Sequence, residues 1–528
     1  MAEVAVDQRR LLKTISWWDG FVIGLANPGF LLVGLWGATI ALGGWLVAVL
    51  FAISAVMGAV QAYIYAEPAA MFPDKPGGLS VYAREGWRRY FSLAGPIAVF
   101  GYWFAWSSVL AVYGSLIGFL TVGEFFPDSR AATWSYSLPG IDWVINTPRL
   151  IGFGVILACW FFNILGMRPA VWFSYVTGAF MLLPVGVIAI GAFLTGDFSN
   201  HAVDQQLMAG TLDAYGFGTG SFNQFALIMV WLYIIGWSTY GPEAPATFAP
   251  EFKNTRDDTR KALASVGGLN VLLSCLLPVA VIGTVGYDAI FGDATGVIFL
   301  VEVMHAVGGE EFGTFLTACL CAGLALSMNT ATMDGSRALY ALAEEKMTIK
   351  QLNHLNSRHV PARAMTVDML LNTVMLFTFP TLFFIIATGN LGYMLSHVIA
   401  LSGVVLLRKD RPDWPRPLRH HIAWIWLAGI LAVVNLLFIV FGVWYLELTG
   451  YFFDAGFTDS DHYLAEGIWV GVGVLAAGVL GYIIAQWQHG RPFRLREPSD
   501  EGPSPEVYEL MRAPEGAPVM PTGTARGR

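Results

Sequence analysis

Charged side chains are scarce in this sequence. They make up 13% of its 528 residues, against 55% hydrophobic residues and a mean hydropathy of +0.57, and a water-soluble fold has too little interior to hide that much apolar chain. Cysteine is scarce too. Cys159, Cys275, Cys319 and Cys321 all lie inside apolar stretches and none in a loop, which argues against an extracellular disulfide framework. Cys319 and Cys321 are two apart on a helix, hence on different faces, with no His or acidic residue beside them to complete a zinc set. The N-terminus lacks a cleavable signal, because the polar, basic stretch to Lys13 runs straight into apolar chain without a small-residue cleavage site. There is no nucleotide-binding glycine loop, no metal-spaced His cluster and no Ser/His/Asp set, so the sequence offers no enzyme chemistry, no cofactor or metal site and nothing to hold nucleic acid.

Positive charge is nearly missing from alternate loops. All Lys and Arg residues except Arg130 and Arg149 fall into seven clusters, at Arg9 to Lys13, Lys75 to Arg89, Arg168, Lys253 to Lys261, Arg337 to Arg363, Arg408 to Arg419, and the tail from Arg491. Basic residues are retained on the cytoplasmic side during insertion, so seven basic surfaces that include both ends predict twelve spans in the cytoplasmic membrane with both termini inside the cell. Stretches of about 20 apolar residues place the spans near 17–41, 44–66, 94–121, 150–166, 170–195, 223–250, 264–286, 312–335, 365–386, 389–407, 422–446 and 467–487. Residues 1–16 form a cytoplasmic N-terminus. Leu79 to Trp87 reads as a short interfacial helix, and the Pro-, Gly- and charge-rich tail, 490–528, is expected to be disordered.

Two spans are interrupted. The first contains Gly24-Leu25-Ala26-Asn27-Pro28-Gly29-Phe30 and the sixth Gly236-Trp237-Ser238-Thr239-Tyr240-Gly241-Pro242-Glu243. Proline removes a backbone donor and glycine permits non-helical torsions, so both helices should break near mid-membrane. If spans 1–5 (17–195) and 6–10 (223–407) are two halves of a core over 17–407, the breaks occupy matching positions. That is the sequence pointer to a central binding site in inverted-repeat transporters.

Four segments carry a family resemblance. They are Ala66-Glu67-Pro68-Ala69-Ala70-Met71-Phe72-Pro73 with Gly77-Gly78; Tyr240-Gly241-Pro242-Glu243 with Pro250-Glu251-Phe252-Lys253-Asn254; Ser336-Arg337-Ala338-Leu339-Tyr340-Ala341-Leu342-Ala343; and Leu406-Leu407-Arg408 leading to Arg411-Pro412. In this order they resemble the amino acid–polyamine–organocation (APC) transporter superfamily over nearly all of 14–420. The resemblance implies an all-α membrane protein with a five-plus-five, LeuT-like inverted repeat, helices 1 and 6 broken, two further helices at 422–487, and alternating access. Two departures stand out. Many members have Gly-Ser-Gly at the first break, where bare amides hold a carboxylate, and here Ala26-Asn27-Pro28 takes that place. Some proton-driven members carry a Lys in the fifth helix, whereas no charged side chain lies between Arg168 and Asp197.

A broken helix presents free amides on one half and free carbonyls on the other. The expected substrate site is therefore Ala26, Asn27, Gly29, Phe30, Trp237, Ser238, Thr239, Tyr240, Gly241 and Glu243, with the aromatic residues closing over a cation or an apolar tail. Glu243 has several open roles: partner of a substrate ammonium, site of a coupling proton, or cap of the second half-helix. Ser327, Asn329 and Thr330 in the polar eighth span form a candidate ion site, for which hydroxyls bonded to their own helix are the alternative. Asp334 and Arg337 read as an ion pair or gate element, Glu67 as structural, and His305 and His397 have no motif around them. The leading function is a secondary active permease for an amino acid, driven by H+, Na+ or exchange. An amine or polyamine transporter of the same fold is the alternative, and an inorganic-ion symporter stands behind both.

Overall fold

Ten helices among the described residues are long and apolar enough to cross a membrane, and the chain is a multi-pass, all-helical membrane protein. This computed structural model describes residues 11–140, 143–196, 198–214, 216–293, 298–379, 382–445, 460–497 and 502–519. The first expected span is two helices, α1 (Trp17–Gly24) and α2 (Asn27–Leu42). After them come α3 (Gly44–Ile64), α4 (Ala66–Met71), α5 (Leu79–Trp87) and α6 (Ala94–Phe125). The short α7 (Arg130–Thr133) leads into an antiparallel hairpin of β1 (Ser135–Ser137) and β2 (Val144–Asn146), which pairs Tyr136 with Ile145. Next are α8 (Thr147–Ile164), α9 (Met167–Gly191), the short α10 (Asn200–Val203) and α11 (Met208–Ala214), and α12 (Ser221–Thr239). A 3-10 turn, Ala244–Glu251, precedes α13 (Thr255–Gly292), α14 (Phe299–Glu344), α15 (Ala362–Thr378), α16 (Leu382–Asp410), α17 (Ile422–Trp444), α18 (Ser460–Gln488) and α19 (Pro505–Arg512).

The boundary between the ninth and tenth spans differs from the expectation. Helix α15 stops at Thr378 and Phe379 is extended, with ψ 138°, because the proline that follows disfavours helical torsions in the residue before it. Helices α13 and α14 also run well past the apolar stretches at their ends on the face that carries the basic clusters. Neither is continuous: Gly286 and Gly309, with φ +76° and +71°, interrupt them near the opposite face.

Helix α6 is the centre of the bundle. Its most apolar window is 89% buried, against 28% for α8 and 22% for α18, so α6 is enclosed by protein while the other two present most of their surface to lipid. Glycine lets its neighbours approach. A Cβ on Gly101 would sit 2.4 Å from the Gly392 carbonyl of α16, and one on Gly118 would sit 2.0 Å from that of Pro148 at the start of α8. The four-residue spacing of Gly114 and Gly118 is thus used within the chain, against α8.

The basic face is knitted by buried charge. Glu67 accepts from Arg408, from Arg416 and from the His420 amide. Glu85 of α5 pairs with Lys75, Arg84, Arg88 and Arg411. Burial alone would push the Glu85 carboxyl up, but Lys75, Arg84, Arg411 and Arg88 together hold it well below the usual carboxylate range. Helix α5 spans the residues expected of the interfacial helix, yet Leu79 to Gly86 are all buried in protein. Gly86 lies against Gly403 of α16, close enough that a Cβ would meet its Cα at 2.4 Å.

The tail departs from the expectation of disorder. Of residues 490–528, the described part includes α19, whose Val507 and Leu510 are fully buried. Glu506 pairs with Lys13 at 2.5 Å, and Arg256 donates to the Leu510 carbonyl at 3.0 Å. Composition alone misses this because α19 is amphipathic, with its few apolar residues collected on one side.

Candidate functional site

The first break lies between Gly24 and Asn27. Leu25 and Ala26 tighten the last turn of α1 through bonds to Val22 and Ile23, and Pro28 falls in the first turn of α2, where a missing N–H costs nothing. The eighth span caps the carbonyls released there. Ser327 Oγ donates to the Ala26 carbonyl and Thr330 Oγ1 to that of Ile23, both at 2.9 Å. The Gly29 amide donates to the same Ala26 carbonyl at 3.2 Å. A Cβ on Gly29 would be 2.8 Å from Ser327 Oγ, so helix α14 crosses tightly against this break. The side chains of Asn27, Pro28 and Phe30 lie outside the described residues.

The second break begins after Thr239. Tyr240 is extended and Gly241 has φ +129°, in the region that favours glycine. Asn270 of α13 takes the released Thr239 carbonyl at 2.7 Å, and the Thr239 hydroxyl shares a 2.6 Å bond with Ser54 of α3. Glu243 does not cap the following 3-10 turn. Its Oε2 turns back to accept the Gly241 amide at 2.8 Å, and its Oε1 accepts the Tyr393 hydroxyl at 2.7 Å.

Around Glu243 stands a group of side chains from four other elements. His397 of α16 has Nε2 3.9 Å from Glu243 Oε1, and its Nδ1 shares a 3.0 Å bond with the Tyr65 hydroxyl between α3 and α4. Trp106 of α6 faces the same carboxyl group. The Tyr240 hydroxyl donates to Asn435 Oδ1 of α17 at 2.8 Å, and Asn435 in turn donates to Gln61 Oε1 at 3.1 Å. A narrow cavity lies beside this group, lined by Ala105, Trp106, Val109, Trp237, Tyr240 and Tyr393. Its wall is aromatic and its polar edge is the Tyr393–Glu243 bond. Such a chamber can close over a small zwitterion or amine, with the rings against its apolar part or its cation.

The expected residues are therefore divided. Trp237 and Tyr240 line the cavity and Glu243 adjoins it. Ser238 points toward α2, where a Cβ on Gly34 would be 2.3 Å from its hydroxyl, so it presses the two broken helices together. Of the candidate ion site, Ser327 and Thr330 meet the first break, but Asn329 turns away to the Ala170 carbonyl, Ser174 and Asn163 on α8 and α9. Neighbours in a helix face different ways, which separates Asn329 from Ser327 and Thr330. Asp334 and Arg337 do not pair: Arg337 is bound to Glu251 and stacks on Phe248, while Asp334 accepts from Tyr102. Sequence reasoning missed Trp106, Tyr393 and Tyr65 and gave His397 no role. Each is a single polar or aromatic residue in an apolar run, without a local pattern to mark it.

Residues 15–473 match the model of a family described as amino acid permease. Over 287 residues the chain is 21% identical to Solute carrier family 7 member 12 of Mus musculus, covering 53% of this chain and 57% of that protein. Over 360 residues it is 22% identical to the D-serine/D-alanine/glycine transporter of Escherichia coli (strain K12), covering 65% and 71%. Over 202 residues it is 24% identical to the branched-chain amino acid permease BcaP of Lactococcus lactis subsp. cremoris (strain MG1363), covering 38% and 42%. The alignments thus leave a substantial part of each relative's length uncovered. With two interrupted helices, an aromatic cavity beside the second break and a family match that takes in both breaks, the chain belongs to the amino acid permease family of the APC superfamily.

Proposed function

We propose that this protein is a secondary active transporter that carries an amino acid across the cytoplasmic membrane by alternating access. In this reading it has twelve spans, a five-plus-five inverted repeat over 17–407 with two added helices, and both termini in the cytoplasm. The observation that supports it best is the second break: Ser238 beside it presses on α2, and the cavity next to it is walled by Trp106, Trp237, Tyr240 and Tyr393. The substrate occupies that chamber, with its polar end at the backbone of Ala26 to Phe30 and Gly241. The reading is supported by relatives named for D-serine, D-alanine, glycine and branched-chain amino acids. Driving ions remain part of the proposal, with Ser327 and Thr330 as oxygen donors should Na+ serve.

A second reading, transport of an amine, is favoured by one feature. The Glu243 carboxyl group is directed into the break and not onto the following turn, where it suits an ammonium. The test is thermal stabilisation of the purified protein by amino acids and by their decarboxylated amines, with Na+ present or replaced by choline. A ligand that binds only the folded state at a hundred times its Kd stabilises by about 2.7 kcal/mol. Stabilisation by amino acids alone supports the first reading and by amines alone the second. Stabilisation by neither refutes both.

A further inference from the structure

Two buried aspartates play no part in the chamber at the breaks. Asp334 of α14 and Asp368 of α15 are fully buried, and consecutive residues of α6 each hold one of their oxygens. Tyr102 donates its hydroxyl to Asp334 Oδ2 at 2.7 Å, and Trp103 donates its indole N–H to Asp368 Oδ1. Consecutive helical residues point about 100° apart, so one turn of α6 reaches both aspartates. Their other oxygens, Asp334 Oδ1 and Asp368 Oδ2, have no well-formed hydrogen bond, and the hydroxyls of Thr247 and Ser107 face the two carboxyl groups. Asp368 Oδ2 lies 3.6 Å from where a Cβ on Gly335 would be. The unbonded oxygen of one aspartate therefore looks onto the turn of helix that carries the other.

The surroundings hold no cation to spare. Thr247 from the 3-10 turn, Glu243 and Arg337 act on Asp334, as Asp334 does on Tyr393 of α16. Ser107 of α6 and Asp334 itself act on Asp368. Arg337 is one turn along α14 from Asp334 but is taken up by Glu251, and among the described residues neither aspartate makes an ion pair. Asp334 is ten residues from the end of α14 and Asp368 six from the start of α15. At about 1.5 Å per residue, they sit roughly 15 and 9 Å along the helix axes from those two helix ends, between them and the breaks.

We propose that Asp334 and Asp368 form a proton-binding pair, positioned by Tyr102 and Trp103, that couples transport to a proton gradient. Negative charge at this depth is costly unless it is paired or neutralised. A proton meets the need with the atoms present, because it turns an unbonded acceptor oxygen into a donor. A hard metal cation wants six or more oxygens in most settings, and here two carboxylate oxygens and the hydroxyls of Thr247 and Ser107 are what the site offers. Proton binding by the pair stands on its own geometry, whereas its coupling role rests on the transporter reading.

Infrared difference spectra of the whole purified protein, recorded as pH is changed in H2O and in D2O, test the binding. The wild type should show carboxylic-acid bands that titrate and shift in D2O, with one lost in Asp334→Asn and one in Asp368→Asn. Tyr102→Phe, which keeps both carboxyls, should move the Asp334 band without removing it. In proteoliposomes, uptake of labelled glycine and L-leucine driven by an inward proton gradient is compared with exchange of the same probe. The ratio of the two should fall toward one in both Asn variants. Bands unchanged by either substitution overturn the proposal, as does accumulation that follows Na+ and ignores pH. If the wild type moves neither probe, the amino acid reading fails while the spectra still decide the proton site.

Discussion

Replacing Arg337 by methionine should be among the most damaging single changes outside the chamber. Arg337 is fully buried and Glu251 is 2% exposed. The guanidinium gives one N–H to each Glu251 oxygen, the second at 3.1 Å, a third to the Met333 carbonyl at 2.9 Å, and lies 4.9 Å from the centre of the Phe248 ring. Removing it leaves the Glu251 carboxylate inside the bundle with no counter-charge. Breaking such a pair from one side costs about 3–5 kcal/mol, most of it the penalty of the stranded charge. The Glu251→Gln change should cost a similar amount by stranding Arg337. The double variant strands neither, so its loss should fall short of the summed single losses by about 1.5–3 kcal/mol. Unfolding in mixed micelles, followed by tryptophan fluorescence, measures all four corners of the cycle. Single losses that add to the double within about 0.5 kcal/mol would refute the argument that this pair ties the 3-10 turn to α14.

Three further outcomes follow from the same geometry. Tyr393→Phe removes the hydroxyl that donates to Glu243; a hydrogen bond to a charged group is worth about 1.5–3 kcal/mol, so substrate affinity in a binding assay should fall about 10- to 100-fold, and an unchanged affinity would place Glu243 outside the site. Gly101→Ala forces a Cβ to within 2.4 Å of the Gly392 carbonyl, and overpacking of this kind should lower stability by about 1–3 kcal/mol, read as a lower melting temperature. Glu85 is held below the ordinary carboxylate value once Lys75, Arg84, Arg411 and Arg88 outweigh its burial. A depressed group contributes stability that is present above its unfolded value and lost as pH falls through its folded one. The stability gap between wild type and Glu85→Gln should therefore be constant at neutral and mildly acidic pH and shrink below about pH 4. A gap that does not change with pH would contradict the pairing.

Much of the fold was legible because it is written in periods and composition. Long apolar runs mark the spans, and Pro28, Gly241 and Pro242 mark the two breaks. What sequence reasoning could not supply was partnership. Arg337 has Asp334 three residues before it, a helical spacing that suits an ion pair, yet its true partner, Glu251, is 86 residues earlier in the chain. His397 carries no local pattern, and its meaning comes from Tyr65 and Glu243, brought to it by two connecting segments distant in sequence. Asn329 shares a polar run with Ser327 and Thr330 but sits on another face. The tail was misjudged for a related reason: α19 has too few apolar residues to pack alone, and the seat for Val507 and Leu510 is supplied by distant parts of the chain.

The two ends of the described chain grip one loop. The amides of Thr14 and Ile15 donate to the Glu251 carbonyl, Lys253 donates back to Ile15, and the Val519 amide reaches the Lys253 carbonyl at 2.7 Å. Asn254 bonds the Ala517 carbonyl, and Asp257 accepts from the Gly516 amide. That loop follows directly from the broken sixth helix. An affinity tag, a fluorescent fusion or a trimmed terminus is therefore not a neutral handle at either end: it pulls on the loop that follows the second break. Reporters belong instead on the loop between α6 and α8, at the opposite face, where Trp134, Tyr136 and their neighbours are exposed.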